Sequence, residues 1–282
     1  MKANNIWGAL LATTFGLAAM SATTDVEAQK KKKAAEVPVQ VGPAQAVKPI
    51  QIPPASAPLK WGLTLKETAK AIDTMLDVEY KPIYQATSPG IKMKQLDGAL
   101  LEEKNSFRRS RIDFGKIPVA LDGTPLKGEY SYNNQESILK LNRKGETRYF
   151  FFIQDRLWKI IDEVELSEKG PYGKNFQDAA VKLTALYGAI GRVIPPNPDK
   201  QIFVTTVDWK DASTHVRLIE RSETSAAIAY EDNATLNNID ALRANKPVVE
   251  DDIDPAVRAA ARSSEPPPGP PPAAPEKDKK KK

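Results

Sequence analysis

The sequence predicts an α+β protein, with antiparallel sheets and packed helices in a core flanked by disordered Pro/Lys-rich arms. Three observations carry this reading. Apolar residues recur with helical spacing in three stretches of residues 60–245, and several short runs alternate with period two between turn residues. Proline and lysine crowd the ends: six prolines fall in residues 29–59 and nine in residues 246–282. Prolines at that density interrupt both helical and strand periods, and few large apolar residues remain to offset the ordering entropy.

From the N-terminus, Lys2 precedes the apolar run Ile6 to Met20, and the small-residue ending Val26-Glu27-Ala28 follows. This is the order of a cleavable secretory signal, residues 1–28. The apolar run is shorter than the roughly twenty residues of a membrane span, so no stable transmembrane segment is expected after cleavage. A periplasmic or secreted location follows as an expectation. Nucleotide cofactors are scarce there and chromosomal DNA is absent, and the sequence carries neither a phosphate-cradling nor a dinucleotide-binding glycine motif. We expect no cofactor and no nucleic-acid partner.

In the core, Thr64 with Glu67 forms a capping box ahead of Leu65, Ala69, Ile72 and Leu76, which predicts a helix over 65–79 that ends at Pro82. A second helix is expected over 93–111. Alternation then predicts strands at 129–132, 137–141, 147–153 and 157–161. A third helix follows over 176–187, stopping at Gly188, with strands near 201–209, 213–220 and 225–231. Residues 60–170 and 171–245 are therefore read as two α+β halves. Ser137–Asp155 laid over Thr214–Asp232 pairs Leu141 with Leu218, Glu146 with Glu223, Thr147 with Thr224 and Asp155 with Asp232, which suggests a duplicated unit.

The chain has 41 Lys and Arg against 36 Asp and Glu, one His and no Cys. No cysteine means no disulfide framework, thiolate metal site or lipidated N-terminal Cys. Residues 60–245 hold 27 basic and 26 acidic residues, so the positive excess belongs to the arms. Lys30, Lys31, Lys32 and Lys33, with Lys279, Lys280, Lys281 and Lys282, are the candidates for contact with an anionic envelope polymer or surface.

Few residues suggest chemistry. His215 could be oriented by Asp208 or Asp211. Carboxylate pairs for glycoside hydrolysis could come from Asp162, Glu163, Glu165, Asp208 or Asp211. Glu250, Asp251, Asp252 and Asp254 lack calcium-loop spacing. Arg108, Arg109 and Arg111 could engage phosphate or an acidic partner. No catalytic or metal-binding residue is assigned. Tyr130, Tyr132, Trp158 and Trp209 are the candidates for partner contact, as aromatic side chains on a sheet face.

The Gly62-Leu63-Thr64-Leu65-Lys66-Glu67 entry into a helix and the strand start Trp209 to Thr214 resemble small exported helix-plus-meander modules. These include the small outer-membrane-assembly lipoproteins, the tandem secreted beta-lactamase inhibitors, and exported proteins of myxobacteria with Pro- and Lys-rich arms. The resemblance implies binding rather than catalysis and transfers no functional residue. The expectation is an exported, non-enzymatic binding or scaffold protein of the cell envelope, whose partner is an envelope protein or an anionic envelope polymer. The alternatives are an envelope hydrolase using paired carboxylates and an inhibitor of a secreted enzyme.

Overall fold

A computed structural model describes residues 42–115, 120–143, 145–200 and 202–245. The signal segment, the lysine clusters 30–33 and 279–282, and the acidic run 250–254 lie outside the described residues.

The elements in chain order are β1 (Ala44–Gln45), α1 (Leu65–Ala86), α2 (Ile91–Arg109), β2 (Ile112–Asp113), β3 (Glu136–Arg143), β4 (Glu146–Ile153) and β5 (Arg156–Glu165). Then come α3 (Phe176–Tyr187), β6 (Arg192–Ile194), β7 (Thr206–Lys210), β8 (Thr214–Ser222), β9 (Ser225–Asp232), α4 (Asn233–Asn237) and α5 (Ile239–Leu242). The nine strands of the described residues join one mixed sheet in the order β1-β7-β8-β9-β5-β4-β3-β2, with β6 also on β7. Every pair is antiparallel except β1 with β7. The fold is α+β, as the sequence predicts.

Local chemistry explains where elements begin and turn. Thr64 Oγ1 accepts the Glu67 N–H, and Glu67 Oε2 accepts the Thr64 N–H at 2.9 Å, so the capping box closes α1. Asn175 caps α3 in the same sense, and Gly188, at φ 73°, ends it. Gln154 and Asp155, both with φ near +50°, form the two-residue reversal between β4 and β5.

Three sequence expectations are corrected. Pro82 lies inside α1, which runs on to Ala86. Tyr80 and Tyr84 there donate hydrogen bonds to Glu103 and Asp97 of α2, and these cross-helix bonds support the turn that proline weakens. Glu129 to Tyr132 form no strand; the chain is irregular up to β3, with Asn133 and Gln135 at positive φ. The proline-rich linker packs on the core from Gly42 onward, because Ala44, Ala46, Ile50 and Ala57 are buried and β1 pairs with β7.

The two halves meet edge to edge through β5 and β9, from Lys159↔Glu231 to Glu165↔Ser225. Each contributes a three-strand meander, β3-β4-β5 or β7-β8-β9, and helices α1 and α3 lie on the same face. The sheet order therefore matches β4 with β8 and β5 with β9. The gap-free sequence overlay is one strand out of step with this, since it pairs β3 with β8 and β4 with β9.

The helix-covered face buries Ile72, Met75, Phe150, Phe152, Leu183 and Trp209 in one core. The opposite face buries Phe151, Ile153, Trp158 and Ile161 beneath Phe114, Leu126 and Tyr130, with Leu236, Ile239 and Leu242 packed against them. Between Phe151 and Phe152 the register to β5 shifts, so that Trp158 and Lys159 both point to this second face.

Candidate functional site

Charged side chains from neighbouring strands converge on the second face. His215 on β8 sits between two buried carboxylates, with Nδ1 3.0 Å from Glu231 Oε2 on β9 and Nε2 3.3 Å from Asp208 Oδ2 on β7. Arg192 bonds Asp208 from β6, and Arg217 Nη2 donates to Glu231 Oε1 at 2.8 Å. Glu129, reaching down from the irregular segment, accepts from Arg217 and from Lys159, each at 2.8 Å. Burial opposes the imidazolium, but the hydrogen bonds to Asp208 and Glu231 and their charges outweigh it, so His215 titrates above the ordinary histidine value. Burial likewise opposes ionisation of Glu129, yet the charges of Lys159 and Arg217 lower its pKa to about 2.

Both imidazole nitrogens of His215 are therefore engaged, and neither is left to take a proton from a substrate. The arrangement is a clamp across three strands rather than a general base. Because the folded pKa is raised, the stability His215 supplies is complete below 6.5 and is lost as pH rises through the folded value. Urea midpoints measured from about pH 6 to about pH 9 should fall for the wild type, and fall less for His215→Gln.

The carboxylates proposed from sequence are dispersed. Asp162 is buried on the helix-covered face, where Arg148 Nη2 donates to its Oδ2 at 2.8 Å; burial nevertheless raises its pKa. Glu163 accepts from Arg221, and Asp211 caps its own turn by accepting the Ser213 and Thr214 N–H groups. Glu165 is exposed at the end of β5. Only Asp208 meets His215.

The aromatic candidates lie mostly inside. Trp209 is fully buried and donates its Nε1–H to Ala189 O at 2.8 Å. Its ring lies so close to Gly191 that a Cβ there would stand 2.5 Å from it. Trp158 is buried beneath Lys159 and Arg243, and Tyr130 stacks on Phe114 with ring centroids 3.9 Å apart. Tyr132 is half-buried, with its hydroxyl 2.5 Å from Asp122. These rings are core packing, not a surface platform.

Two surface features escaped the sequence reading. A cleft of about 770 Å³ opens at the start of α1, and all four non-glycine residues of positive φ among the described residues, Asn133, Gln135, Gln154 and Asp155, line it. Its carboxylates are engaged: Glu136 by Arg243, Asp113 by Arg111, and Asp155 by the Leu65 N–H. The second feature is an apolar rim at the opposite end of the sheet. Val47, Leu186, Ile190 and Val193 are 77%, 56%, 78% and 61% exposed. Val47 lies against Gly188, and Val193 pairs with Val207, which puts its side chain on the same face as α3. Isolated exposed apolar residues are ordinary, but this group borders the outer strand β6. No periodicity in the sequence separates these residues from core positions.

Among the described residues, no helix is long and apolar enough to cross a membrane. Compared with protein-family models, curated proteins and solved structures, the chain matches none.

Proposed function

We propose that this chain is an exported, non-enzymatic binding or scaffold protein of the cell envelope, periplasmic or secreted. It contacts a protein partner through the β6 edge and the apolar rim beside it. The single observation behind this reading is that rim: four large apolar side chains, mostly exposed, next to a short edge strand. Such an edge offers backbone hydrogen bonds to an incoming strand, and the rim offers apolar area to bury with it. The carboxylates of the large cleft already have partners, which favours binding over hydrolysis. Lys30–Lys33 and Lys279–Lys282 add weak attraction to anionic envelope polymers.

Retention of native envelope components by the full chain tests this. We expect a component held by the wild type to be lost by the double variant Ile190→Asp/Val193→Asp. It should persist, more weakly and with less sensitivity to salt, when the eight arm lysines become Gln. Equal retention by the rim variant refutes the assigned surface, and no retention by any form refutes the binding role.

A further inference from the structure

A second groove, of about 510 Å³, runs between α1, the end of α2 and β3. Its floor is apolar: Leu139 is buried, and Leu65 and Ala69 pack partly against the core. Its rim is cationic. Lys66 and Lys70 stand one turn apart on α1, and Arg108 at the end of α2 and Arg111 just beyond it complete the lining, against a single carboxylate, Asp73. Four cations less one anion leave the lining at +3.

The charges differ in how far they are satisfied. Arg108 is paired with Asp73, and Arg111 with Asp113. The Lys66 and Lys70 ammonium groups make no ion pair or hydrogen bond among the described residues. Asp73 Oδ1 is buried without a hydrogen-bond partner. Arg109, between the two groove arginines in sequence, points away and pairs with Glu102. The arginine cluster is thus divided, with two members at the groove and one outside it.

We infer that this groove binds a small amphipathic oxyanion, a carboxylate or phosphate head carrying a short apolar chain. The head sits among Lys66, Lys70, Arg108 and Arg111, and the chain lies over Leu65, Ala69 and Leu139. The volume falls within the range of small-molecule sites, and two unpaired ammonium groups beside two guanidiniums suit an oxyanion better than a neutral headgroup. The partly exposed side chains of Leu65 and Ala69 give apolar area that inorganic phosphate cannot use. This site lies apart from the β6 rim and does not depend on the partner proposed there.

Titration calorimetry of the full chain tests it with four probes: octyl phosphate, octanoate, inorganic phosphate and octyl glucoside, each below its micelle concentration. We expect one or both octyl anions to bind at least tenfold more tightly than inorganic phosphate and octyl glucoside, and their relative affinity to identify the head. Lys66→Glu/Lys70→Glu should weaken that binding at least tenfold. Both lysines are exposed, and an unchanged thermal melting curve would verify that the fold survives. Ala69→Leu, which fills the floor, should weaken the octyl anions and leave inorganic phosphate unchanged. The assignment is overturned if neither octyl anion binds, if inorganic phosphate or octyl glucoside binds equally well, or if the lysine variant keeps wild-type affinity. That last result would move the anion to the basic arms.

Discussion

Glu231→Gln should lower the unfolding free energy by about 3–5 kcal/mol, the cost of removing one member of a buried ion network and leaving its partners uncompensated. Glu231 is buried, accepts two bonds from Arg217 and meets His215, with Lys159 Nζ 3.8 Å away. Burial opposes its ionisation, but Arg217, His215 and Lys159 outweigh that and hold its pKa far below the usual carboxylate range. Urea denaturation of Glu231→Gln, Arg217→Met and the double variant separates the coupling from the burial cost. The double variant should lose less than the sum of the single losses. A loss under about 1 kcal/mol for Glu231→Gln would mean that water compensates the cations, and would refute a dry network. The same geometry fixes the acid response. Glu129 and Glu231 have depressed folded values, so their contribution is present above the ordinary 4.5 and disappears as pH falls, for Glu129 towards about 2.

Trp209→Ala should cost about 3–5 kcal/mol through the cavity left in the helix-covered core. The indole is fully buried, packs beside Tyr187 with centroids 5.5 Å apart, and rests on the bare backbone of Gly191. Trp209→Phe should lose less, because it keeps most of the packing and gives up only the bond to Ala189 O and part of the ring. If Trp209→Ala instead left the denaturation midpoint unchanged while abolishing partner retention, the ring would be a contact residue and the burial described here would be wrong.

Residues that act on their immediate neighbours made much of the fold legible. Thr64 and Glu67, Asn175, and Gly188 mark helix ends through bonds or backbone angles within a few positions. The run Thr147 to Ile153 alternates between two apolar faces because strands flank it and both faces are covered. What failed depends on distant partners. Tyr130 and Tyr132 alternate like strand residues, yet Phe114 and Asp122, not a neighbouring strand, hold them. Ala44, Ile50 and Ala57 sit among prolines, and only the distant residues of the helix-covered core give them somewhere to be buried. The network around His215 draws on Asp208, seven residues before it, and Glu231, sixteen after it. Strand register brings them together, and sequence spacing alone could select Asp208 no better than Asp211. The apolar rim and the cationic groove were hidden for a related reason. Composition does not tell an uncovered isoleucine from a covered one, nor a paired arginine from an unpaired lysine.

The junction of β5 with β9 has a consequence for how the molecule is made. Among the described residues the last strand in chain order, β9, lies beside β5 in the interior of the sheet, although Ser225 follows Glu165 by sixty residues. Until it arrives, β5 offers one hydrogen-bonding edge to whatever is nearby, with Ile160 and Ile161 on its two sides. Closing the middle of the structure therefore waits for β9, and β5 is open to self-association until that step is complete.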